Sequence, residues 1–298
     1  MDIGKVPMEV LERLLGKVKI KDKRVILGPQ TGEDAALINF GDKLLVAKTD
    51  PITFATDFIG WYAVQVNAND LAVMGATPKW FMATILLPEG SSENLIEDIF
   101  DQILEACEDL GITLVGGHSE ITYGLPRPIV VGAMMGEVKK GNQILTSGAK
   151  IGDSIVLTKG IAIEGTSLLA RDASKSLINV GVNIDLINQA KNLLFDPGIS
   201  VLKEAYLASR NITVHSMHDP TEGGLATGLL EISKGAKVGI FVEYDKIPIL
   251  PQCKFICDTM KLDPLGLLAS GSLLFTTSEE DAHKIIPLLR TKGITSSI

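Results

Sequence analysis

The sequence predicts an α/β or mixed α+β chain built as two halves of similar size, and three observations carry that prediction. Apolar runs of strand length alternate with segments whose apolar residues recur every three to four positions. Near "TSGAKIGDSIVLTKG" the pattern resets through a glycine-spaced connection. The 298 residues suffice for two domains that each bury a core of their own. The boundary is expected at about residue 147, giving an N-terminal domain over 1–147 and a C-terminal domain over 148–298. No short-period repeat is evident.

Taken in order, "MDIGKVPMEVLERLLGKVKI" reads as an amphipathic helix, because acidic residues interrupt its apolar positions. "KLLVAKTD" is a short apolar run that ends in Thr49 and Asp50. From Phe58 to Met74 the spacing predicts a helix, closed by Gly75 with Pro78 beyond it. "WFMATILLP" reads as a buried strand. "SSENLIEDIFDQILEACEDLG" is a strong helix pattern: Ser91 or Ser92 can cap it, Leu95, Ile96, Ile99, Ile103 and Cys107 form its apolar side, and Gly111 ends it. "ITLVGG" is a strand expected to lead into a polar loop, and "PIVVGAMMGEV" is another strand. The second half is expected to hold a strand at Ser154 to Thr158, helices after Gly165 and around Ile199 to Ser209, and then "GLATGLLEISKGA".

Composition narrows the function. The chain is 46% hydrophobic and 21% charged, without a low-complexity tract. No run approaches the roughly 18 apolar residues of a membrane span, and the expected location is the cytoplasm. A net charge of −8 argues against a broad nucleic-acid surface, which needs a basic face. It leaves room for an anionic nucleotide held to acidic side chains through metal ions. The basic run "KVKIKDKR" reads as a solvated helix end and loop. Three cysteines give no disulfide framework; Cys107 reads as core, and the C-x3-C of Cys253 and Cys257 lacks the second pair or nearby histidine of a zinc site.

Carboxylates cluster at expected element ends: "TGEDAAL" (Glu33, Asp34), "KTDP" (Asp50), "NANDLA" (Asp70), "GGHSE" (His118, Glu120) and "MHDPTEGGL" (His218, Asp219, Thr221, Glu222). Hard oxygen ligands of this kind suit Mg2+. Taken singly, each is as readily a turn or a cap. Asp70 differs. With Ala63, Val66 and Val73 it falls on one side of the expected helix, a carboxylate inside an apolar stripe. Burial there demands a cation or several donors, with a structural bond to backbone as the alternative. Neither a Walker A loop, nor a strand-following G-x-G-x-x-G, nor a protein-kinase catalytic set occurs.

Together and in this order, "GEDAALI", "TDP", "NANDLAVMGATP", "GGHSEIT" and "HDPTEGGLA" resemble the aminoimidazole ribonucleotide (AIR) synthetase superfamily, also called PurM-like. The likeness spans residues from about 28 to 275. It is strongest to the hydrogenase maturation protein HypE, through "HDPTEGGLA" and "ICDTMKLDPLGLLASGSLLFT", and in the N-terminal half to proteins described only as AIR synthase-related. The resemblance implies a two-domain PurM-like fold, in which the N-terminal domains of a homodimer join their sheets into an intersubunit β-barrel beside a C-terminal α/β domain. It implies ATP and Mg2+ as cofactors. Asp34, Thr49, Asp50, Asn67, Asn69, Asp70, Gly116, Gly117, His118, Ser119, Asp219, Thr221 and Glu222 would line the nucleotide site. Asp34, Asp50, Asp70, Glu120 and Asp219 would be metal ligands. It names no catalytic residue.

The implied chemistry transfers the γ-phosphoryl group of ATP to an oxygen, which turns a poor leaving group into a good one. In HypE the acceptor is a thiocarboxamide on a protein cysteine, within hydrogenase maturation and with a partner protein. Here Glu222 replaces that protein's arginine, and His118 and Ser119 replace its G-D-T pattern, which separates the substrate more than the nucleotide. The residues end at "RTKGITSSI" without a P-R-I-C tail. The expectation is a truncated chain or, if Ile298 is the natural end, one that carries no carbamoyl group on a terminal cysteine. The rival expectations are a small-molecule kinase resembling thiamine-monophosphate kinase and a nucleotide-binding assembly protein without turnover.

Overall fold

The computed structural model describes residues 6–55 and 57–298. The first five residues of the expected N-terminal helix lie outside the described residues. The rest contains α1 (Met8–Leu15), which ends at Gly16.

The described residues form two compact units. One comprises Ile20–Gly28 and Asp34–Gln143; the other comprises residues 6–19, Pro29–Glu33 and Ile144–Ile298. Glu33 belongs to the second unit, where its carboxylate accepts the backbone N–H groups of Thr146 (3.1 Å) and Ser147 (3.2 Å). It caps the short 3-10 turn Thr146–Gly148.

The first unit holds β1 (Val25–Leu27), β2 (Ala36–Phe40), β3 (Lys43–Ile52), α2 (Ile59–Val73), β4 (Thr77–Pro88), α3 (Glu93–Leu110), β5 (Thr113–Thr122) and β6 (Ile129–Lys139). Its six strands run in the order β1-β2-β3-β6-β4-β5, antiparallel except for the β4–β5 pair. Helix α2 packs on β3, β6 and β4, with α3 against α2. The side chains of Val46, Phe81, Ile85, Met134 and Leu71 are fully buried in this core, each worth about 1.5–3 kcal/mol of transfer free energy. As expected, the Ser92 hydroxyl accepts the Leu95 N–H (3.3 Å) at the start of α3, and Gly111 closes it in the left-handed conformation.

Three expectations change here. Helix α2 is buried all round rather than along one stripe, with only Trp61 partly exposed among Ile59–Val73. Thr49 and Asp50 lie inside β3, which continues to Ile52 because β6 pairs with it along its full length. The "GGHSEIT" segment is strand rather than loop: β4 is 12 residues long and offers a parallel ladder that carries β5 on to Thr122. A Cβ at Gly117 would collide with the Ala83 carbonyl oxygen, so glycine permits that pairing.

The second unit holds β7 (Ser154–Thr158), α4 (Ile163–Asp172), α5 (Ser174–Asn179), α6 (Ile184–Asn192), α7 (Leu202–Asn211), β8 (Val214–His218), α8 (Gly224–Ala236), α9 (Pro251–Met260), β9 (Leu274–Thr277), α10 (Glu279–Thr291) and β10 (Ser296–Ser297). Its antiparallel sheet has the order β10-β7-β9-β8. The core joins Leu157, Ile161, Leu225, Ile232, Leu274 and both cysteines of α9, Cys253 and Cys257. Lys159, at φ 58°, is buried just after β7. Its ammonium donates to Gly198 O (3.0 Å) and Ser200 O (2.6 Å) and pairs with Glu204 of α7 at 2.9 Å. No described helix is long and apolar enough to cross a membrane.

Candidate functional site

In the first unit, the side chains that carry chemistry meet where β3 passes under α2. Lys48 and Asp50 are two residues apart on β3 and share its α2-facing side. Asp70 comes from the last turn of α2 and is 4% exposed. The Lys48 ammonium lies 3.3 Å from Asp70 Oδ2 and 3.7 Å from Asp50 Oδ2. Asp34, just before β2, completes the group: a carboxylate oxygen of Asp34 and one of Asp70 lie within 4.8 Å of each other.

The electrostatics reflect that crowding. Burial is the largest influence on Asp70 and pushes its carboxyl up to about 7; the Lys48 ammonium pulls against that, and Asp50 and Asp34 push it further up. Two carboxylates flank one ammonium and a third stands beside Asp70, so the donor set is rich in anionic oxygen. That chemistry fits a hard divalent cation such as Mg2+, which one or two carboxylates and water or phosphate oxygens usually hold.

Asn67 sits one turn before Asp70 and is fully buried. Its Nδ2 donates to Ala63 O (2.8 Å) and to Asp50 O (3.2 Å), so the amide pins the β3 backbone at Asp50 to α2. Its Oδ1 is buried with no hydrogen-bond partner among the described residues. Gly132 of β6, paired with Asp50, makes room for this contact, because a Cβ there would collide with Asn67 Nδ2. The Thr49 hydroxyl donates to Gly132 O at 2.8 Å. Asn69 is also fully buried in α2.

The β5 residues are placed elsewhere. Asp50 pairs with Gly132, Gly132 with Ala83, and Ala83 with Gly117, so Asp50 and Gly117 lie in one row, three strand spacings or about 14 Å apart. Gly117 and Ser119 share the α2 side of the sheet, whereas Gly116, His118 and Glu120 alternate to the opposite side. His118 Nε2 and Glu120 Oε2 lie 3.2 Å apart, both substantially exposed. Within one chain, therefore, Glu120 does not join Asp50 and Asp70 as the expected ligand set requires.

In the second unit, Asp219, Thr221 and Glu222 occupy the turn from β8 into α8. Asp219 is 2% exposed; Thr221 and Glu222 are partly buried. Thr221 O accepts the N–H groups of Gly224 (3.0 Å) and Ala269 (3.2 Å), which holds the turn against the 267–272 loop. His218, at the end of β8, is 2.9 Å from Glu231 of α8 through Nε2.

Sequence reasoning missed Lys48, Gly132 and the His218–Glu231 pair. Lys48 had a readable signal, two residues before Asp50 in a strand and hence on its face. The pairing of Gly132 with Asp50 needed the strand register.

The fold is that of the PurM-like class, a superfamily of enzymes. Comparison with known proteins makes this specific. Residues 32–138 match the family model of the AIR synthase related protein N-terminal domain, and residues 150–298 match that of its C-terminal domain. The chain belongs to the AIR synthase related protein family.

A putative hydrogenase expression/formation protein of Methanocaldococcus jannaschii is 30% identical over 294 residues, covering 96% of this chain and 84% of the relative. The carbamoyl dehydratase HypE of Cupriavidus necator is 28% identical over 273 residues, covering 88% and 73%. Among solved structures, thiamine-monophosphate kinase from Stenotrophomonas maltophilia has a TM-score of 0.72 at 24% identity, covering 92% of this chain and 87% of that one. Hydrogenase maturation protein HypE in complex with ATP has a TM-score of 0.68 at 21% identity, covering 95% and 80%. These two likenesses establish the PurM-like fold.

Proposed function

We propose that this chain is an ATP- and Mg2+-dependent enzyme of the HypE kind, which phosphorylates an oxygen-bearing acceptor such as an amide or carbamoyl group in hydrogenase-type maturation. The observation that carries this reading is the gathering of Asp50 and Asp70 about the Lys48 ammonium, with Asp34 beside Asp70 and Asp70 almost wholly buried. The HypE–ATP complex and the hydrogenase-related names of the relatives support the nucleotide and the setting. Mg2+ held by these carboxylates would supply charge neutralisation for the phosphate oxygens.

The chain's own contribution is positional. Asn67 fixes the β3 backbone under Asp50, and the closely packed helix α2 holds Asp70 at a set depth. A site held this rigidly reorganises little as charge moves from ATP to the acceptor. Asp219, Thr221 and Glu222, at the mouth of α8, are assigned to the same nucleotide and acceptor chemistry through the family resemblance. A homodimer belongs to this reading. The sheet face away from α2 carries Leu45, Trp80, Met82, Val131 and Met135, and edge strand β5 is largely exposed. A second copy joining the two sheets into a barrel would cover that face.

The test is calorimetric and chemical. ATP with Mg2+ should bind the wild type, and Asp70→Asn should lose about tenfold or more of that affinity with the fold retained, because a charge-assisted contact is worth about 1.5–3 kcal/mol. Unchanged affinity would remove Asp70 from the site. Turnover with carbamoyl or amide acceptors should release ADP and phosphate together. ADP with a stable phosphorylated product would instead identify a small-molecule kinase, and nucleotide binding without ADP release an assembly protein.

A further inference from the structure

The Lys48 ammonium stands between two carboxylates assigned to the metal in the proposed function, 3.3 Å from Asp70 Oδ2 and 3.7 Å from Asp50 Oδ2. The role of Lys48 rests on that metal assignment. A magnesium ion bound to both carboxylates would need oxygens at about 2.1 Å, and it would hold them together where the ammonium now does. Two cations so close, beside a buried carboxylate, repel strongly. The lysine must therefore give way. Its side chain is 24% exposed, and a lysine's long flexible stem lets the head group move while the backbone stays in β3.

We propose that Lys48 is a resident counter-cation of the carboxylate cluster, which the divalent metal displaces onto the phosphate of the incoming nucleotide. A lysine suits this exchange, being a compact point charge on a flexible stem that can leave one anion for another. Metal arriving alone competes with the protein's own ammonium and drives it from both carboxylates. Metal arriving with a triphosphate gives that ammonium a new anion. The two ligands then bind with positive coupling, and Lys48 is the coupling element.

Lys48→Met, which keeps length and removes charge, separates the two halves of the idea. By titration calorimetry with MgCl2 alone, the variant should bind Mg2+ about tenfold more tightly than wild type. With Mg2+ and a non-hydrolysable ATP analogue, nucleotide affinity should fall about tenfold; each change is the loss of one charge-assisted contact. Lys48→Arg should leave Mg2+ alone as weak as in wild type. Mg2+ affinity unchanged or weakened in Lys48→Met would overturn the proposal.

A wild-type measurement guards against a variant that misfolds. Reductive methylation of Lys48, read by peptide mass spectrometry, should rise when Mg2+ is added alone and fall when the ATP analogue is added next. A reactivity that ignores Mg2+ while the metal binds sinks the displacement. Absence of any Mg2+ or Mg2+–nucleotide binding by the wild type is a separate outcome, which removes the parent assignment and the proposal with it.

Discussion

Asp70 shows how much one carboxylate can be changed by its surroundings. Burial, opposed by Lys48 and reinforced by Asp50 and Asp34, raises it from the ordinary 3.8 to about 7. A raised folded-state value means that folding takes up protons between those two pH values. The stability Asp70 contributes is therefore fully present below about pH 4, and it is lost as pH rises through about 7. Asparagine does not titrate. The melting temperature of Asp70→Asn, measured without metal or nucleotide, should exceed wild type by a margin that grows from pH 5 to pH 8. A margin independent of pH would mean that the carboxyl is already ionised at pH 5. The same substitution that weakens Mg2+–nucleotide binding is thus expected to stabilise the empty protein.

At the scale of elements, β3 and α2 act as one device: Asn67 ties them at Asp50, and Gly132 on β6 leaves space for the tie. Strand β5 plays the contrasting part. It pairs with β4 along one edge, while Val115, Ile121 and the following Tyr123 are 50%, 61% and 90% exposed. An open edge strand that exposes apolar side chains invites pairing with another chain. Sedimentation should find a dimer at micromolar concentration, and Ile121→Lys should shift it to monomer with circular dichroism unchanged. A monomeric wild type would remove the shared barrel from the proposed function.

At the scale of the whole molecule, the two compact units each have their own sheet and core, so damage to one should stay local. The buried Lys159–Glu204 pair is the sharpest probe. Burial depresses the Lys159 ammonium, and Glu204 works against that depression. Lys159→Met would strand Glu204, 3% exposed, as a buried carboxylate, at a cost of about 3–5 kcal/mol. Hydrogen exchange should accelerate throughout β7, β9 and α7 while β4 and β6 keep their protection. Uniform acceleration in both units would indicate a single cooperative body.

How much was legible beforehand depended on what each feature needs. Helix α3, strand β7 and helix α8 were readable because caps, breakers and periodicity are local, and each acts within a few residues of the chain. The family was readable because its motifs recur in a fixed order. The acidic cluster was half readable: Asp70 stood out as a carboxylate among apolar neighbours, but its partner Lys48 drew no attention in "LLVAKTDP". The fate of "GGHSE" was not readable, since whether it loops or pairs depends on a distant 12-residue strand, in which Thr84 lies opposite His118.

By itself, then, the sequence determined the mixed α/β class, the family and the identity of the acidic residues, because those rest on local periodicity and on motif order. Tertiary structure alone decided which of those residues meet. Register and face are properties of strand pairing, and a single-residue step turns a side chain to the other side of a sheet. That step puts Asp50 beside Asp70 and Lys48, and it turns Thr49, His118 and Glu120 away from them.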